Sequence, residues 1–238
     1  MFRQAKQNRI FQDVVEQIQE AIVSGKLKAG EHLPAERELK EKFNVSRGTL
    51  REALRVLEQK GLIQIKTGVT GGSVVRGAST DQMSESLGLL IRSRKVSLQQ
   101  LAEFREGVEG LVAALAAERA TAKDVQRLQT LLGQAKELLS KGALFWDAFI
   151  RTDEEIHLAL AEMTANQLYI SVLQTVYSNI HTYYESYLAK EEHLLEENYR
   201  DLADIVQAIA TKNAESARHL AQDHVRRFNS YMEHKGAT

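Results

Sequence analysis

The chain has 238 residues, 43% of them hydrophobic, which is enough for one large or two ordinary domains with real cores. It contains no cysteine, so disulfides, thiolate zinc fingers and thiol catalysis are excluded, and a metal must be held by His, Asp or Glu. No run approaches the roughly 20 apolar residues of a membrane helix, and Met1 to Ile10 is charged and polar where a secretion signal needs an apolar stretch; a cytoplasmic protein without membrane contact is expected. The net charge of −1 hides an asymmetry, with 14 Lys and Arg against 9 Asp and Glu through Gly77, and 17 against 23 after it. A basic first third suggests a polyanion-binding module joined to a part that does not touch the polyanion, although such charge can also simply solvate a surface.

Ile10, Val14, Ile18 and Ile22 recur every four residues, predicting an amphipathic helix that stops at Ser24-Gly25. Pro34 is expected to open a short second helix carrying Leu39 and Phe43, and Asn44-Val45 a tight turn into a third. Ser46 suits the cap of that helix because its hydroxyl can accept from a first-turn N–H. Leu50, Ala53, Leu54 and Leu57 form the buried face before Gly61 ends the helix. Residues 62–66 and 73–76 alternate like strands around Thr67 to Gly72. Three helices and a hairpin predict a winged helix-turn-helix over residues 1–77.

From about Thr80 the periodicity is helical throughout, near 80–92, 97–118, 121–140, 144–164, 166–188, 194–211 and 213–234. The expected fold is therefore mainly α, the headpiece being followed by an all-α antiparallel bundle of six or seven helices. Gly77-Ala78-Ser79 reads as the linker, residues 78–95 as linker plus first helix, and residues 96–238 as an effector-binding and dimerisation domain.

Arg47, Arg51 and Arg55 at i, i+4 and i+8 share a face of the third helix away from the apolar stripe. Spacing alone fits a solvated surface, but on the third helix of such a headpiece that face can enter the major groove, where a guanidinium fork matches guanine O6 and N7. Arg37 can clamp a phosphate and Thr49 offers a short donor and a methyl group. Gly71 and Gly72 let the wing tip approach the DNA backbone closely, with Lys66 adding charge.

Three ordered blocks carry a resemblance: Leu33-Pro34-Ala35-Glu36-Arg37-Glu38-Leu39, Val45-Ser46-Arg47-Gly48-Thr49-Leu50-Arg51-Glu52-Ala53-Leu54, and Leu57-Glu58-Gln59-Lys60-Gly61-Leu62-Ile63. Over residues 10–76 they resemble the DNA-binding domain of the GntR family of bacterial regulators. The resemblance implies operator contacts by Arg37, Ser46, Arg47, Thr49, Arg51 and a wing-tip glycine, and a homodimer on a short pseudo-palindromic duplex operator. The later helices resemble the FadR-like branch of that family, through Leu101-Ala102-Glu103-Phe104-Arg105-Glu106 with Val108-Glu109, Asp153 with Ile156-His157, Asn166, and Ala208-Ile209 through Ala217 to His224.

That second resemblance implies a small organic-acid effector met by Arg105, Asp153, His157, Asn166 and His224, and a divalent metal on Asp153, His157 and His224. Asp153 and His157 are i and i+4 on one face, and an oxygen with nitrogens suits Zn²⁺, Ni²⁺ or Mn²⁺. The pattern departs at Leu202, where a further His is expected. Two alternatives stand beside these readings: His157 and His224 as hydrogen-bonded core residues, and Arg105 paired with Glu109. No phosphate loop, nucleophile with a spaced base, or HExxH motif is present, so no enzyme is expected.

Overall fold

The computed structural model describes residues 9–68, 71–77, 79–188 and 190–236. Met1 to residue 8, Val69 and Thr70 of the wing, and Ala78 of the expected linker lie outside them. The chain forms two compact units, one ending at Met83 and one beginning at Ser84. The division falls in the first turn of a helix, four residues past the expected linker.

In the first unit, α1 (Arg9–Val23), α2 (Glu36–Phe43) and α3 (Arg47–Gln59) precede β1 (Ile63–Lys66) and β2 (Gly72–Val75). Val14, Ile18 and Ile22 of α1 close over Leu50, Ala53, Leu54 and Leu57 of α3, all buried. Ile10 is 60% exposed, contrary to its place in the expected stripe, because α1 begins one residue before it and no described residue covers that turn. Pro34 does not open α2; the helix starts at Glu36 with extended Ala35 before it. Asn44 takes the left-handed conformation at φ 50°, which reverses the chain between α2 and α3. Ser46 Oγ then accepts from the Thr49 N–H at 3.1 Å and starts α3.

β1 and β2 pair antiparallel with Ile63 opposite Val75 and Lys66 opposite Gly72. Ile63 and Val75 plug the core, and the Glu58 carboxylate accepts from the Ile65 N–H at 2.7 Å, tying β1 to α3. Gly71 closes the turn by donating from its N–H to the Gly68 carbonyl at 2.9 Å. A Cβ on Gly71 would sit 2.6 Å from the Lys66 carbonyl oxygen, so only glycine fits.

The second unit contains the rest of α4 (Asp81–Arg92), then α5 (Leu98–Arg119), α6 (Ala122–Ser140), a 3₁₀ turn (Ala143–Phe145), α7 (Trp146–Met163), α8 (Gln167–Tyr187), α9 (Glu192–Ala210) and α10 (Ala214–Gly236). Capping boxes at Ser97 and Thr121 start α5 and α6. Short connections make successive helices reverse. Gly110 of α5 lets α10 approach closely, since a Cβ there would meet Gln222 Cγ at 2.6 Å. The core is largely apolar, but it buries Arg105, Glu109, Asp153, Glu154, His157 and His224, as well as Asn179, Asn198 and several Thr and Ser side chains.

Candidate nucleic-acid interface and metal centre

The packed face of α3 and its reading face are distinct. Arg47, Arg51 and Arg55 are all exposed on the side away from Leu50, Leu54 and Leu57. Arg47 keeps only a loose contact with Glu36, 3.7 Å away, and its side chain is 75% exposed. Arg51 and Arg55 have no ion pair among the described residues. Arg37 is exposed on α2, where its Nε lies 3.3 Å from Glu41. Such solvated pairs are weak and yield readily to a phosphate. Thr49 is half-buried, and its hydroxyl is 2.8 Å from that of Ser46, so both polar groups stand at the start of the same helix. Lys66 is exposed at the end of β1, beside the Gly68–Gly71 turn. Six side chains and the wing-tip glycine named from the sequence thus belong to one headpiece whose core does not need them.

In the second unit the structure gathers Asp153, His157 and His224, each buried, with one potential ligand atom apiece all within 4.8 Å of one another. Asp153 Oδ1 lies 3.4 Å from His224 Nε2 and 3.8 Å from His157 Nε2. These separations are too long for well-aligned hydrogen bonds, and Asp153 Oδ1 and His157 Nε2 have no hydrogen-bond partner. Behind each imidazole stands a second carboxylate: Glu109 Oε2 is 2.8 Å from His157 Nδ1, and Asp201 Oδ2 is 3.5 Å from His224 Nδ1. At His157 the Glu109 carboxylate is close enough to hold the ring and turn Nε2 inward, the arrangement that supports a metal-bound histidine, whereas His224 Nδ1 has no hydrogen-bond partner and Asp201 acts on it only as a nearby charge. The donor set therefore fits one divalent ion of the Zn²⁺, Ni²⁺ or Mn²⁺ type, through Asp153, His157 and His224. Leu202 is wholly buried and offers no donor, which leaves three candidate ligands among the described residues.

Arg105 reaches this level, with two of its five N–H donors engaged. Its Nε donates to Glu109 Oε1 at 2.7 Å and its Nη2 to the Tyr177 hydroxyl at 3.2 Å, while Tyr177 donates to Glu109 Oε2 at 2.6 Å. The intrahelical pair with Glu109 is thus formed, and it engages Nε while Tyr177 engages Nη2. Burial opposes charge on Arg105, but Glu109 outweighs it and holds the guanidinium well above its usual pKa. Burial likewise opposes charge on Glu109, yet Arg105 and then His157 hold it well below the usual carboxylate range.

Asp153 is also lowered; burial works against its charge and His224 foremost, then His157, prevail. Burial disfavours the His224 imidazolium, but Asp153 and Asp201 raise its pKa to about 9. Glu154 moves the other way, to about 8, through burial and then the neighbouring Asp153 charge.

Asn166 is not brought here. Its Oδ1 accepts from the Leu168 N–H at 3.0 Å and caps α8, about three turns before Tyr177. His181, half-exposed, meets Glu154 at 3.6 Å rather than joining the ligand set. Glu109, Tyr177, Glu154, Asn198 and Asp201 were missed as site residues. Glu109 alone had a signal, its i+4 spacing from Arg105; the others are inward positions on helices whose neighbours are known only after packing.

An exposed arginine face on a small winged headpiece, joined to a bundle with a buried polar centre, is the arrangement of a DNA-binding regulator. The sequence pattern of the family described as bacterial regulatory proteins, gntR family, matches residues 11–72, and that of the FCD domain matches residues 100–227. The Uxu operon regulator of Haemophilus influenzae is 32% identical over 225 residues, covering 92% of this chain and 80% of that protein. The HTH-type transcriptional regulator LutR of Bacillus subtilis is 36% identical over 147 residues, 62% of this chain and 64% of the relative. Among solved structures, Streptococcus agalactiae GntR matches with a TM-score of 0.69 at 24% identity, covering 92% of this chain and 99% of that one, a likeness of fold. The chain belongs to the GntR family of bacterial transcription regulators and carries an FCD domain. No helix among the described residues is long and apolar enough to cross a membrane.

Proposed function

We propose that this protein is a ligand-responsive transcription regulator that binds a short pseudo-palindromic operator as a homodimer, its DNA affinity modulated by a small carboxylate metabolite held in the helical domain. Residues 1–77 read DNA, 78–95 connect, and 96–238 bind effector and dimerise. Arg47 and Arg51 take base edges, Arg37, Ser46, Thr49 and Lys66 position the phosphates, and Gly71 brings the wing to the backbone. One reading helix covers only a half-site, which is why two-fold pairing is required.

The observation that carries the effector reading is the cluster of buried, unpartnered polar atoms at Asp153 and His157 beside His224 inside the bundle. Groups left in that state are sites for an ion or ligand, because an interior without one gains nothing from them. A divalent ion bound there would supply the positive charge that a carboxylate needs. Arg105, held by Glu109 and Tyr177, sets the local potential and keeps the Glu109 carboxylate on His157. Effector binding changes operator affinity to the extent that it favours one of two states of the bundle.

Selection of duplexes from genomic fragments, repeated with a chelator and with organic acids, tests the reading. A defined duplex retained over random sequence, with retention altered by an acid, is the expected result. Equal retention of random and selected duplexes at moderate salt, under every condition, refutes it.

A further inference from the structure

The buried centre is sealed from solvent: Arg105, Glu109, Asp153, His157 and His224 are each no more than 3% exposed. An ion therefore reaches Asp153, His157 and His224 only where a neighbouring side chain moves aside. The walls differ in how firmly they are held. On α5, Arg105 and Glu109 hold each other, and Tyr177 of α8 is tied to both. On α9, Leu202 and Ile205 are wholly buried in the apolar core.

Tyr184 is the exception. It lies two turns beyond Tyr177 on the same face of α8, and its ring packs edge-on against Phe228 at 5.3 Å, which in turn stacks on His224 at 6.4 Å. Burial pushes the Tyr184 hydroxyl pKa up, and the charges of Arg105, Asp153, Glu154 and Glu109 also act on it, which sets the hydroxyl beside the centre. Among the described residues the ring meets Phe228 and His181, and no hydrogen bond holds the hydroxyl. Tyr184 also borders open space. With Ile150, Arg151, His181 and Glu185 it lines a cavity of about 390 Å³ at the start of α7 and the end of α8, and Arg151, His181 and Glu185 are exposed at its mouth. Ile150 is one turn before Asp153, so cavity and centre are successive levels of the bundle. The Tyr184 ring stands between them, beside Glu154 and His181, which pair at 3.6 Å.

We propose that this cavity is the entrance to the buried centre and that Tyr184 is its gate, the ring turning out into the cavity to let a divalent ion pass to Asp153, His157 and His224. The proposal rests on the metal reading above. Turning Tyr184 breaks ring contacts alone and strands no hydrogen-bonded group, whereas moving Tyr177 breaks its bonds to both Arg105 and Glu109. Glu154 Oε1, buried without a partner, offers a passing cation an acceptor oxygen next to Asp153. The gate acts on the rate at which the centre fills and empties, not on the ligand set that holds the ion.

The test follows Zn²⁺ uptake and release by the full-length protein in stopped flow, read with a chromophoric chelator. The chain has no cysteine, so Glu185→Cys at the exposed mouth supplies a single thiol. A bulky maleimide attached there is expected to slow uptake and release alike by about tenfold or more, with affinity changed less than about threefold, because a blocked passage raises the barrier and leaves both end states alone. The same label on Lys123→Cys, exposed on α6 where that helix meets the far end of α7, is expected to change neither rate. Tyr184→Ala is expected to speed both rates about tenfold, again with little change in affinity. Labelled Glu185→Cys that exchanges as fast as the labelled control, or Tyr184→Ala that speeds release alone and loses affinity in proportion, overturns the gate and leaves the metal reading standing. Failure of the parent protein to bind Zn²⁺ overturns both.

Discussion

Glu109→Gln is the most exacting probe of the buried centre. Glu109 receives Arg105 Nε at 2.7 Å, the Tyr177 hydroxyl at 2.6 Å and lies 2.8 Å from His157 Nδ1, so one carboxylate satisfies three neighbours. The amide has one acceptor oxygen, and its NH₂ must face a donor, while Arg105 is left buried without its counter-charge. Breaking a buried pair from one side costs about 3–5 kcal/mol, a large part of the roughly 5–15 kcal/mol that holds a domain together. At about 2–4 °C per kcal/mol for a unit of this size, the melting midpoint should fall by roughly 6–20 °C.

Trp146 is the only tryptophan and is buried at the start of α7, so its fluorescence reports the helical unit without interference from the headpiece. The double variant Arg105→Met with Glu109→Leu should regain part of the loss, because it removes the stranded Arg105 charge, but not all of it, because the buried Tyr177 hydroxyl and His157 Nδ1 still lose Glu109. A Glu109→Gln midpoint within about 2 °C of the parent, with metal absent from both, would refute this account of the network.

Arg47→Ala and Arg51→Ala should each weaken binding to the selected duplex by about 1–3 kcal/mol, roughly 5- to 150-fold, without lowering the melting temperature. Gel shifts at one fixed salt concentration measure it, and unchanged affinity in both variants rules the α3 reading face out. Gly71→Ala forces a methyl group to within 2.6 Å of the Lys66 carbonyl, so the wing turn must open; weaker DNA binding is expected with the α1–α3 core intact, and full affinity would show that the wing is not used.

In metal-free protein the raised His224 pKa contributes stability that is complete below pH 6.5 and is lost as pH rises through about 9, and the raised Glu154 acts in the same direction through about 8. Because the metal must displace the His224 proton, apparent Zn²⁺ affinity should rise about tenfold per pH unit below 9. Titrations at pH 6, 7 and 8 that give equal affinities would exclude His224 as a ligand, and Asp153→Asn should abolish the metal-induced rise in melting temperature.

Local pattern was enough for most of the framework. The Leu50, Ala53, Leu54 and Leu57 spacing, the Ser46 cap and the Asn44 reversal each depend on neighbours within about four residues, so the headpiece and its arginine face could be read along the chain. The long helices were legible for the same reason, and boundary differences are confined to fraying ends such as Glu192. The i, i+4 rule also places Asp153 and His157 on one face before any packing is known.

Tertiary packing decided what those faces meet. Sequence separates Glu109 from Tyr177 and His157, and Asp201 from His224, by distances along the chain that carry no signal. The packing of α5, α7, α8, α9 and α10 brings them together. That packing buries the Arg105–Glu109 pair of α5 against Tyr177 and His157. The physical reason is range: capping and periodicity act over one or two turns, whereas a buried polar centre exists only where several helices exclude water together.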